Sequence, residues 1–154
     1  MGRRISKPKF YIYVDLDGVL CDFDSASAKL GGKDKWRETD GFCRDLEAYP
    51  GAESFIARLE KTWPGSVRFL TAPINERTGS YSEKADWVKK KFPDLVDRLI
   101  IARDKSAVGS VVDFLIDDHL YNGAAEFRGT LIRFKTEKIP DEYVTVVETL
   151  ISAL

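Results

Sequence analysis

The segment Tyr11–Val19 has the pattern of an apolar strand that ends abruptly in charged residues. Its β-type residues stop at Asp15 and Asp17, two carboxylates that are separated by one leucine and followed by Gly18. In parallel α/β sheets, ligands bind at the carboxyl ends of the strands. Two crowded carboxylates repel each other unless a cation or a proton intervenes. The segment therefore predicts a functional site with positive charge between the two acids.

Three more apolar runs along the chain also lead into polar side chains. They are residues 67–71 with Thr71, residues 98–105 with Arg103 and Lys105, and residues 113–118 with Asp117 and Asp118. A further run at 130–134 is followed by the last helical pattern. Strands that alternate with helices are typical of a parallel sheet. We therefore expect an α/β fold with a Rossmann-like, doubly wound and mostly parallel five-stranded sheet.

Helical patterns fill the gaps between these strands. One pattern, at 52–61, lies between two Pro-Gly pairs, and the last one covers 141–154. A third pattern lies between these two. In it, Ser80 and Glu83 fit a capping box at the start of a helix that ends at Pro93.

The pattern weakens between the first acid pair and the helix at 52–61. Residues 25–30 are compatible with a short helix, and the rest is polar with Trp36 and Phe42 embedded in it. This position follows the first strand end directly, which favours a small helical cap insert over the site. We call residues 23–48 the cap segment. Its two aromatic residues either stack on a nucleobase or pin the segment to the core, and the sequence leaves both interpretations open.

The size and charge of the chain restrict the function. Its 154 residues fit a single domain, 1–154, and a net charge of −1 from 24 basic and 25 acidic residues lacks the basic surface of a nucleic-acid-polymer binder. Cys21 and Cys43 form no CxxC pair, which favours a reduced intracellular setting. The basic start, with Arg3 and Arg4, precedes no long apolar segment. We expect a cytoplasmic protein with no membrane span, and its oligomeric state stays open.

The residue types at the strand ends suggest phosphoryl transfer. An aspartate such as Asp15 can accept a phosphoryl group as a nucleophile, and Asp17 can donate a proton to the leaving oxygen and later take one from water. Alternatively, a DxD pair after a strand forms a metal or sugar-nucleotide site, or a turn that caps a helix. The Thr71 hydroxyl is positioned to donate to phosphoryl oxygens, or it satisfies a strand-terminal turn.

The late acid pair and the basic residues complete the predicted site. Mg²⁺ prefers oxygen ligands, so Asp15, the Asp17 carbonyl and Asp117 or Asp118 suffice to hold it, although Asp117 is also compatible with capping a short helix. Lys105 is expected to neutralise the carboxylates and phosphate. Lys84, on a helix face and expected to be solvated, is a reserve phosphate contact. His119 is given no catalytic role, and residues 121–123 predict a turn and a helix start.

The order acid pair, hydroxyl, lysine, acid pair resembles the haloacid dehalogenase superfamily of phosphotransferases. Within it, the sequence of nearly the whole chain after residue 9 resembles those of the 5′(3′)-deoxyribonucleotidases. The segments that carry this resemblance are 15–23, 46–52, 71–74, 82–88, 103–105 and 115–118. The resemblance implies substrate contacts by Phe23, Thr71 and Lys105, Mg²⁺ binding by Asp15, Asp17 and Asp118, and a position near the nucleotide for Arg103. It favours Asp118 as the direct ligand and Asp117 as its neighbour. The cap segment is shorter than in the cellular nucleotidases.

These observations together predict a Mg²⁺-dependent phosphomonoesterase. Its expected substrates are deoxyribonucleoside 5′(3′)-monophosphates, hydrolysed through an aspartyl-phosphate intermediate. The alternatives are a phosphatase for a sugar phosphate or another small metabolite, a phospho-accepting receiver module, and a binding protein without turnover. The acid at Asp17 and the late acid pair argue against a receiver module.

Overall fold

The computed structural model describes residues 6–32, 34–135 and 141–153. The strands form one five-stranded sheet in which every neighbouring pair is parallel. The strands are β1 (Ile12–Val14), β2 (Val67–Thr71), β3 (Leu99–Ile101), β4 (Phe114–Asp117) and β5 (Thr130–Arg133). The α/β prediction from the alternating pattern is therefore confirmed.

The described residues also contain four α-helices and three 3₁₀ helices. The α-helices are α1 (Phe23–Lys29), α2 (Ala52–Thr62), α3 (Gly79–Lys91) and α4 (Asp141–Ser152), and the 3₁₀ helices are Lys35–Glu38, Pro93–Arg98 and Lys105–Ala107. The predicted helices at 52–61 and 141–154 match α2 and α4 closely. Arg3, Arg4 and Leu154 lie outside the described residues. None of the helices in the described part is long and apolar enough to cross a membrane.

The strand order β3-β2-β1-β4-β5 places β1 at the centre. From β1 the chain moves outward through β2 to β3, and it then returns to the other side of β1 to form β4 and β5. Ligands in open α/β sheets bind at such a reversal of strand order, at the carboxyl ends of the strands. The expected site therefore lies at the carboxyl end of β1, next to that of β4.

Successive side chains of each strand enter two different hydrophobic clusters, because side chains alternate across a sheet. Ile12 and Val14 pack with the buried faces of α2 and α3, including Phe55 and Trp87. Tyr13, together with Leu70 and Leu115, packs against Ala124 and Phe127 from the segment between β4 and β5. Both faces of the sheet are thus covered, which explains the near-continuous apolar strands.

The predicted capping box at the start of α3 is wrong. The helix begins at Gly79, and Ser80 lies inside its first turn. The Ser80 hydroxyl accepts a hydrogen bond from the Ile74 N–H at 3.0 Å, and the Glu83 carboxylate accepts one from Arg77 at 2.7 Å. Both side chains therefore bond to residues before the helix, which a three-residue sequence spacing does not reveal.

The cap segment starts and ends beside a short antiparallel bridge between Cys21 and Ala48. The Asp22 N–H donates to the Glu47 carbonyl at 2.8 Å, so the two connections to the core lie side by side. The short helix predicted at 25–30 is α1, and the Asp22 side chain caps it through the Ser25 N–H. Both cysteines are free and buried. Burial raises the pKa of the Cys43 thiol to about 12, so it stays protonated at neutral pH.

Candidate active site

Three neighbouring strand ends carry the polar residues that the sequence singled out. Val14 lies in register with Phe69 of β2 and with Ile116 of β4. Asp15 follows Val14 directly, and its N–H donates to the Ile116 carbonyl at 3.0 Å. Thr71 and Asp117 are the last residues of their own strands. Parallel pairing therefore brings these side chains to one edge of the sheet.

Three carboxylates form the acid cluster of this edge, which consists of Asp15, Asp117 and Asp118. One oxygen from each lies within 4.8 Å of the others. Burial, together with the negative charge of Asp117, raises the pKa of Asp15 well above its usual value. Burial also raises the pKa of Asp118 to about 6. Burial thus disfavours the charged form of these carboxyl groups. Such an arrangement is typical of a cation site.

Gly18 permits the close approach of Asp118 to the loop that carries Asp15 and Asp17. Its φ of +81° lies in the left-handed region, and a Cβ at this position would overlap the Asp118 carboxylate. Only glycine combines that backbone conformation with that contact. The glycine of the Asp-Leu-Asp-Gly segment therefore serves the geometry of the acid cluster.

Lys105 bridges two of the three acids. Its Nζ donates to Asp15 Oδ1 at 3.0 Å and to Asp117 Oδ2 at 2.6 Å, and its side chain is almost fully buried. Burial lowers the pKa of this lysine, but the negative charges of Asp15 and Asp117 outweigh that effect and the net pKa is raised. Lys105 therefore stays charged and offsets part of the negative charge of the cluster.

Lys84 is the second lysine of the site, and the expectation that it is solvated is wrong. Its side chain is only 2% exposed, although it lies on helix α3. Nζ donates to Asp17 Oδ2 at 2.6 Å and to the Thr71 hydroxyl at 3.0 Å. Burial lowers the Lys84 pKa, but the charge of Asp17 outweighs this and the net pKa is raised. The structure thus connects Asp17 and Thr71 through a charged lysine.

A cavity of about 240 Å³ opens over these residues. Its polar floor includes Asp15, Asp17, Thr71, Lys105 and Asp117. Its other lining residues come from the cap segment and from the loops after β2 and β4, namely Trp36, Arg37, Ala72, Pro73, Ile74, Asn75, His119, Tyr121 and Asn122. Acids, hydroxyl, lysine and aromatic surface therefore meet in one space, which is the composition expected of a site for a small phosphorylated ligand.

The donor set of the acid cluster fits a hard divalent cation. Among the described residues, Asp118 Oδ1 is buried and has no hydrogen-bond partner. The oxygens of Asp117 are both occupied, because Oδ1 accepts from the His119 N–H at 3.0 Å and Oδ2 accepts from Lys105. A buried carboxylate oxygen without a partner is costly unless a ligand satisfies it. Asp118 therefore has a carboxylate oxygen left for a ligand, whereas both oxygens of Asp117 are occupied.

Three predicted substrate residues, Arg103, Phe23 and Lys84, do not line the cavity. Lys84 is bonded to Asp17 and Thr71, which do line it. Arg103 is directed to Asn75, and its Nη1 donates to Asn75 Oδ1 at 2.8 Å. Phe23 packs edge-to-face against Trp36 and Phe42, with ring centroids 5.0 and 5.3 Å apart. Phe42 is 7% exposed and belongs to the hydrophobic core. Phe42 therefore pins the cap segment to the core, while Trp36 reaches the cavity.

The loop after β4 contributes lining residues that the sequence assigned to a turn. Residues 121–126 do form turns, but the helix start predicted near residues 121–123 is wrong. Asn122 has a φ of 55°, and its carbonyl accepts from the Lys105 N–H at 2.8 Å. The chain thus folds back to the lysine, and Tyr121 is left at the cavity. Its exposed ring at the cavity is a feature of the tertiary structure that the sequence pattern does not contain.

Comparison with known proteins gives consistent matches. Residues 34–140 match the family described as 5′ nucleotidase, deoxy (pyrimidine), cytosolic type C protein. A protein of Vibrio phage KVP40, provisionally named a 5′(3′)-deoxyribonucleotidase, is 30% identical over 152 residues, which cover 94% of this chain and 86% of the phage protein. The human cytosolic 5′(3′)-deoxyribonucleotidase is 27% identical, over 70% of this chain and 69% of its own length. The mouse mitochondrial 5′(3′)-deoxyribonucleotidase is also 27% identical, over 75% of this chain and 67% of its own length.

Proposed function

Because the chain belongs to the 5′ nucleotidase, deoxy (pyrimidine), cytosolic type C family of the haloacid dehalogenase superfamily, we propose that it hydrolyses deoxyribonucleoside 5′(3′)-monophosphates. The observation that carries this proposal is the meeting of Asp15, Asp17, Thr71 and Lys105 at one cavity, with Lys84 bonded to Asp17 and Thr71. The relatives named above are 5′(3′)-deoxyribonucleotidases. A phosphoric monoester hydrolase is therefore the class of enzyme that both lines of support favour.

The proposed reaction proceeds in two displacements. An oxygen of the Asp15 carboxylate attacks the phosphorus, the bond between phosphorus and the ester oxygen breaks, and Asp17 donates a proton to that leaving oxygen. Water then attacks the phosphorus of the aspartyl phosphate. Asp17 takes a proton from this water, the bond between phosphorus and Asp15 breaks, and inorganic phosphate leaves.

The two lysines and the threonine take different parts in this scheme. Lys84 and the Thr71 hydroxyl, which are 3.0 Å apart, act together on the phosphoryl oxygens. Lys105 also holds the nucleophile, because its Nζ bonds to Asp15 and Asp117 at the edge where the phosphate reacts. We thus assign the phosphate contact to Lys84 as well as to Lys105. Arg103, which pairs with Asn75 at the rim, is assigned to the outer part of the nucleotide.

Mg²⁺ is the proposed cofactor. Asp15, Asp118 and the main-chain carbonyl of Asp17 are the oxygen donors that would hold it. The unpartnered Asp118 Oδ1 supports Asp118 over Asp117 as the direct ligand. When bound, this ion supplies positive charge that offsets the repulsion between the Asp15 carboxylate and the phosphate.

The remaining assignments concern the surroundings of the site. We propose that residues 1–154 act as a single domain and that the cap segment acts as its lid, with Phe23 supporting Trp36 against the cavity. The cytoplasmic location stays a prediction. A phosphatase for sugar phosphates is the second candidate, since Phe42 is buried in the core and leaves the cap segment with less aromatic surface for a base.

The test is phosphate release from a panel of substrates with and without Mg²⁺. The panel contains deoxyribonucleoside 5′- and 3′-monophosphates, ribonucleoside monophosphates, 2-deoxyribose 5-phosphate and a small aryl phosphate. We expect Mg²⁺-dependent release with the highest kcat/KM for deoxyribonucleotides. A preference for the base-free sugar phosphate would favour the second candidate, and no release from any compound would overturn both.

A further inference from the structure

We propose that Tyr121, stacked on His119, is the surface on which the nucleobase of the substrate lies. This inference rests on the proposed function, because it assigns the part of a nucleotide that is distant from the phosphate. The Tyr121 side chain is 62% exposed and lines the same cavity as Asp15. Its ring stacks on the imidazole of His119 with centroids 4.4 Å apart and planes inclined by 21°. One face of the phenol is therefore supported and the other is available to a flat ligand.

The aromatic residues of the cap segment are less available for this task. Phe42 is buried in the core, and Phe23 is held edge-to-face between Phe42 and Trp36. Trp36 reaches the cavity, but the guanidinium of Arg37 lies over its ring at 4.4 Å. Of Trp36 and Tyr121, which both line the cavity, Tyr121 is thus the one with an exposed ring and no arginine over it.

The position of the pair matches the order of groups in a nucleotide. His119 Nε2 lies 3.1 Å from Asp118 Oδ2, so the imidazole is anchored at the acid cluster where the phosphate reacts. Tyr121 stacks on this imidazole and is therefore one ring farther from the acids. A ligand with its phosphate at Asp15 gains this stacking surface when it also carries a planar group. A nucleobase is that group, whereas a sugar phosphate ends before it.

The backbone holds this surface in place. Asn122 and Gly123 adopt φ angles of 55° and 79°, which turn the chain sharply after Tyr121. The Asn122 carbonyl accepts a hydrogen bond from the Lys105 N–H, so the loop is attached to the segment that carries the lysine of the site. Every base has a π-face, so a stacking surface increases affinity with little discrimination between bases. We therefore expect Tyr121 to distinguish nucleotides from base-free phosphates more than one base from another.

The experiment compares kcat/KM for a deoxyribonucleoside 5′-monophosphate and for 2-deoxyribose 5-phosphate. It uses the full-length wild type, Tyr121→Ala and Tyr121→Phe. Tyr81→Ala is the matched control, because Tyr81 is 40% exposed on α3 and does not line the cavity. Calorimetry with non-hydrolysable phosphonate analogues of both compounds measures their binding affinities and needs no turnover.

For Tyr121→Ala we expect a loss of about 5- to 150-fold on the nucleotide and on its phosphonate analogue, as the loss of one base stack predicts. The sugar phosphate should change less than twofold, and Tyr121→Phe and Tyr81→Ala should behave like the wild type. Equal losses on both compounds, or no loss on the nucleotide, would overturn the inference. Absence of turnover in the wild type would instead count against the proposed function, while the phosphonate contrast would still decide the role of Tyr121.

Discussion

Asp117 and Asp118 are adjacent in the chain, but the structure gives them different surroundings. Asp117 is paired with Lys105 and with the His119 N–H, whereas Asp118 Oδ1 has no hydrogen-bond partner among the described residues. At the scale of single residues, the site is therefore defined by which oxygens are already occupied. A buried carboxylate oxygen that lacks a partner is available for a ligand, and one that is occupied supports its neighbours.

Asp15→Asn is the first prediction at this scale. An amide cannot act as the nucleophile, so phosphate release should fall to background. The fold should be kept, because the amide has the size of the carboxyl group and its oxygen can still accept from Lys105. Asp17→Asn should reduce the rate by about 10²–10⁴-fold through loss of proton transfer. Steady-state phosphate release, with circular dichroism as the control for folding, checks both. Near-normal turnover by a folded Asp15→Asn protein would contradict the proposed mechanism.

Asp118→Asn tests how the buried acid responds to pH. Burial raises the pKa of Asp118 to about 6. A carboxyl whose pKa is higher in the folded protein than in the unfolded chain stabilises the fold at low pH, and this contribution is lost as the pH rises through about 6. In EDTA at pH 7.5, the Asp118→Asn protein should thus be more stable than the wild type, on the order of 1–3 kcal/mol. The difference should shrink toward pH 4.

Urea unfolding in EDTA between pH 4 and pH 8 measures this difference in the free energy of unfolding. The comparison of two nearly identical proteins cancels the titration of the other acids. If the wild type were as stable as the variant at pH 7.5, Asp118 would not be strained by its burial, and only its unpartnered Oδ1 would support a cation at this position.

At the scale of elements, helix α3 connects the site to the cap segment. Two adjacent residues face different partners, since Lys84 bonds to Asp17 and Thr71 while Glu83 bonds to Arg77. Arg77 also donates to the Trp36 carbonyl at 3.3 Å and to the Thr39 carbonyl at 2.7 Å. The Arg77 and Glu83 side chains are only 15% and 9% exposed. One arginine thus attaches the cap segment to the helix that carries a lysine of the site.

Arg77→Met is the prediction for this connection. Removal of one partner leaves the other charge of a largely buried pair uncompensated, so we expect a loss of about 3–5 kcal/mol in the free energy of unfolding. KM for a nucleotide should rise because the cap segment is released. The double variant Arg77→Met/Glu83→Gln should recover part of the stability, since the unpaired charge is gone.

Chemical unfolding and steady-state kinetics check this prediction. Arg44→Met is the matched control, because Arg44 pairs with Asp45 on the surface and both side chains are at least half exposed. The control should leave the unfolding midpoint nearly unchanged. A similar small effect for Arg77→Met would mean that the arginine does not hold the cap segment.

At the scale of the whole molecule, the order of strands decides where the chemistry lies. The ends of β1 and β4 are neighbours at the reversal of strand order, although Asp15 and Asp117 are about a hundred residues apart in the chain. A ligand that binds only to this assembled edge stabilises the whole fold by mass action. Metal binding should therefore be visible in global unfolding.

We expect Mg²⁺ to raise the melting temperature of the wild type, with a stabilisation of about 2.7 kcal/mol at one hundred times its dissociation constant. Asp118→Ala should abolish this rise. Asp117→Ala should lower the melting temperature in EDTA, because Lys105 loses a partner, but it should keep a response to Mg²⁺. Thermal unfolding over a Mg²⁺ titration measures all three. Identical curves with Mg²⁺ and EDTA for the wild type would contradict the metal assignment.

The sequence by itself determined the parallel α/β fold, the bounds of α2 and β2, and the positions of the acid pairs at the strand ends. These features depend on local periodicity and on where an apolar run stops, and both can be recognised from consecutive residues. The tertiary structure decided the partners of the polar side chains. Lys84 is buried because Asp17, 67 positions away, offsets its charge. No local pattern contains that pairing. The same holds for the partners of Ser80 and Glu83, which made the predicted capping box of α3 wrong, and for the position of the Tyr121 ring at the cavity. The free energy of these contacts comes from segments that meet only after folding.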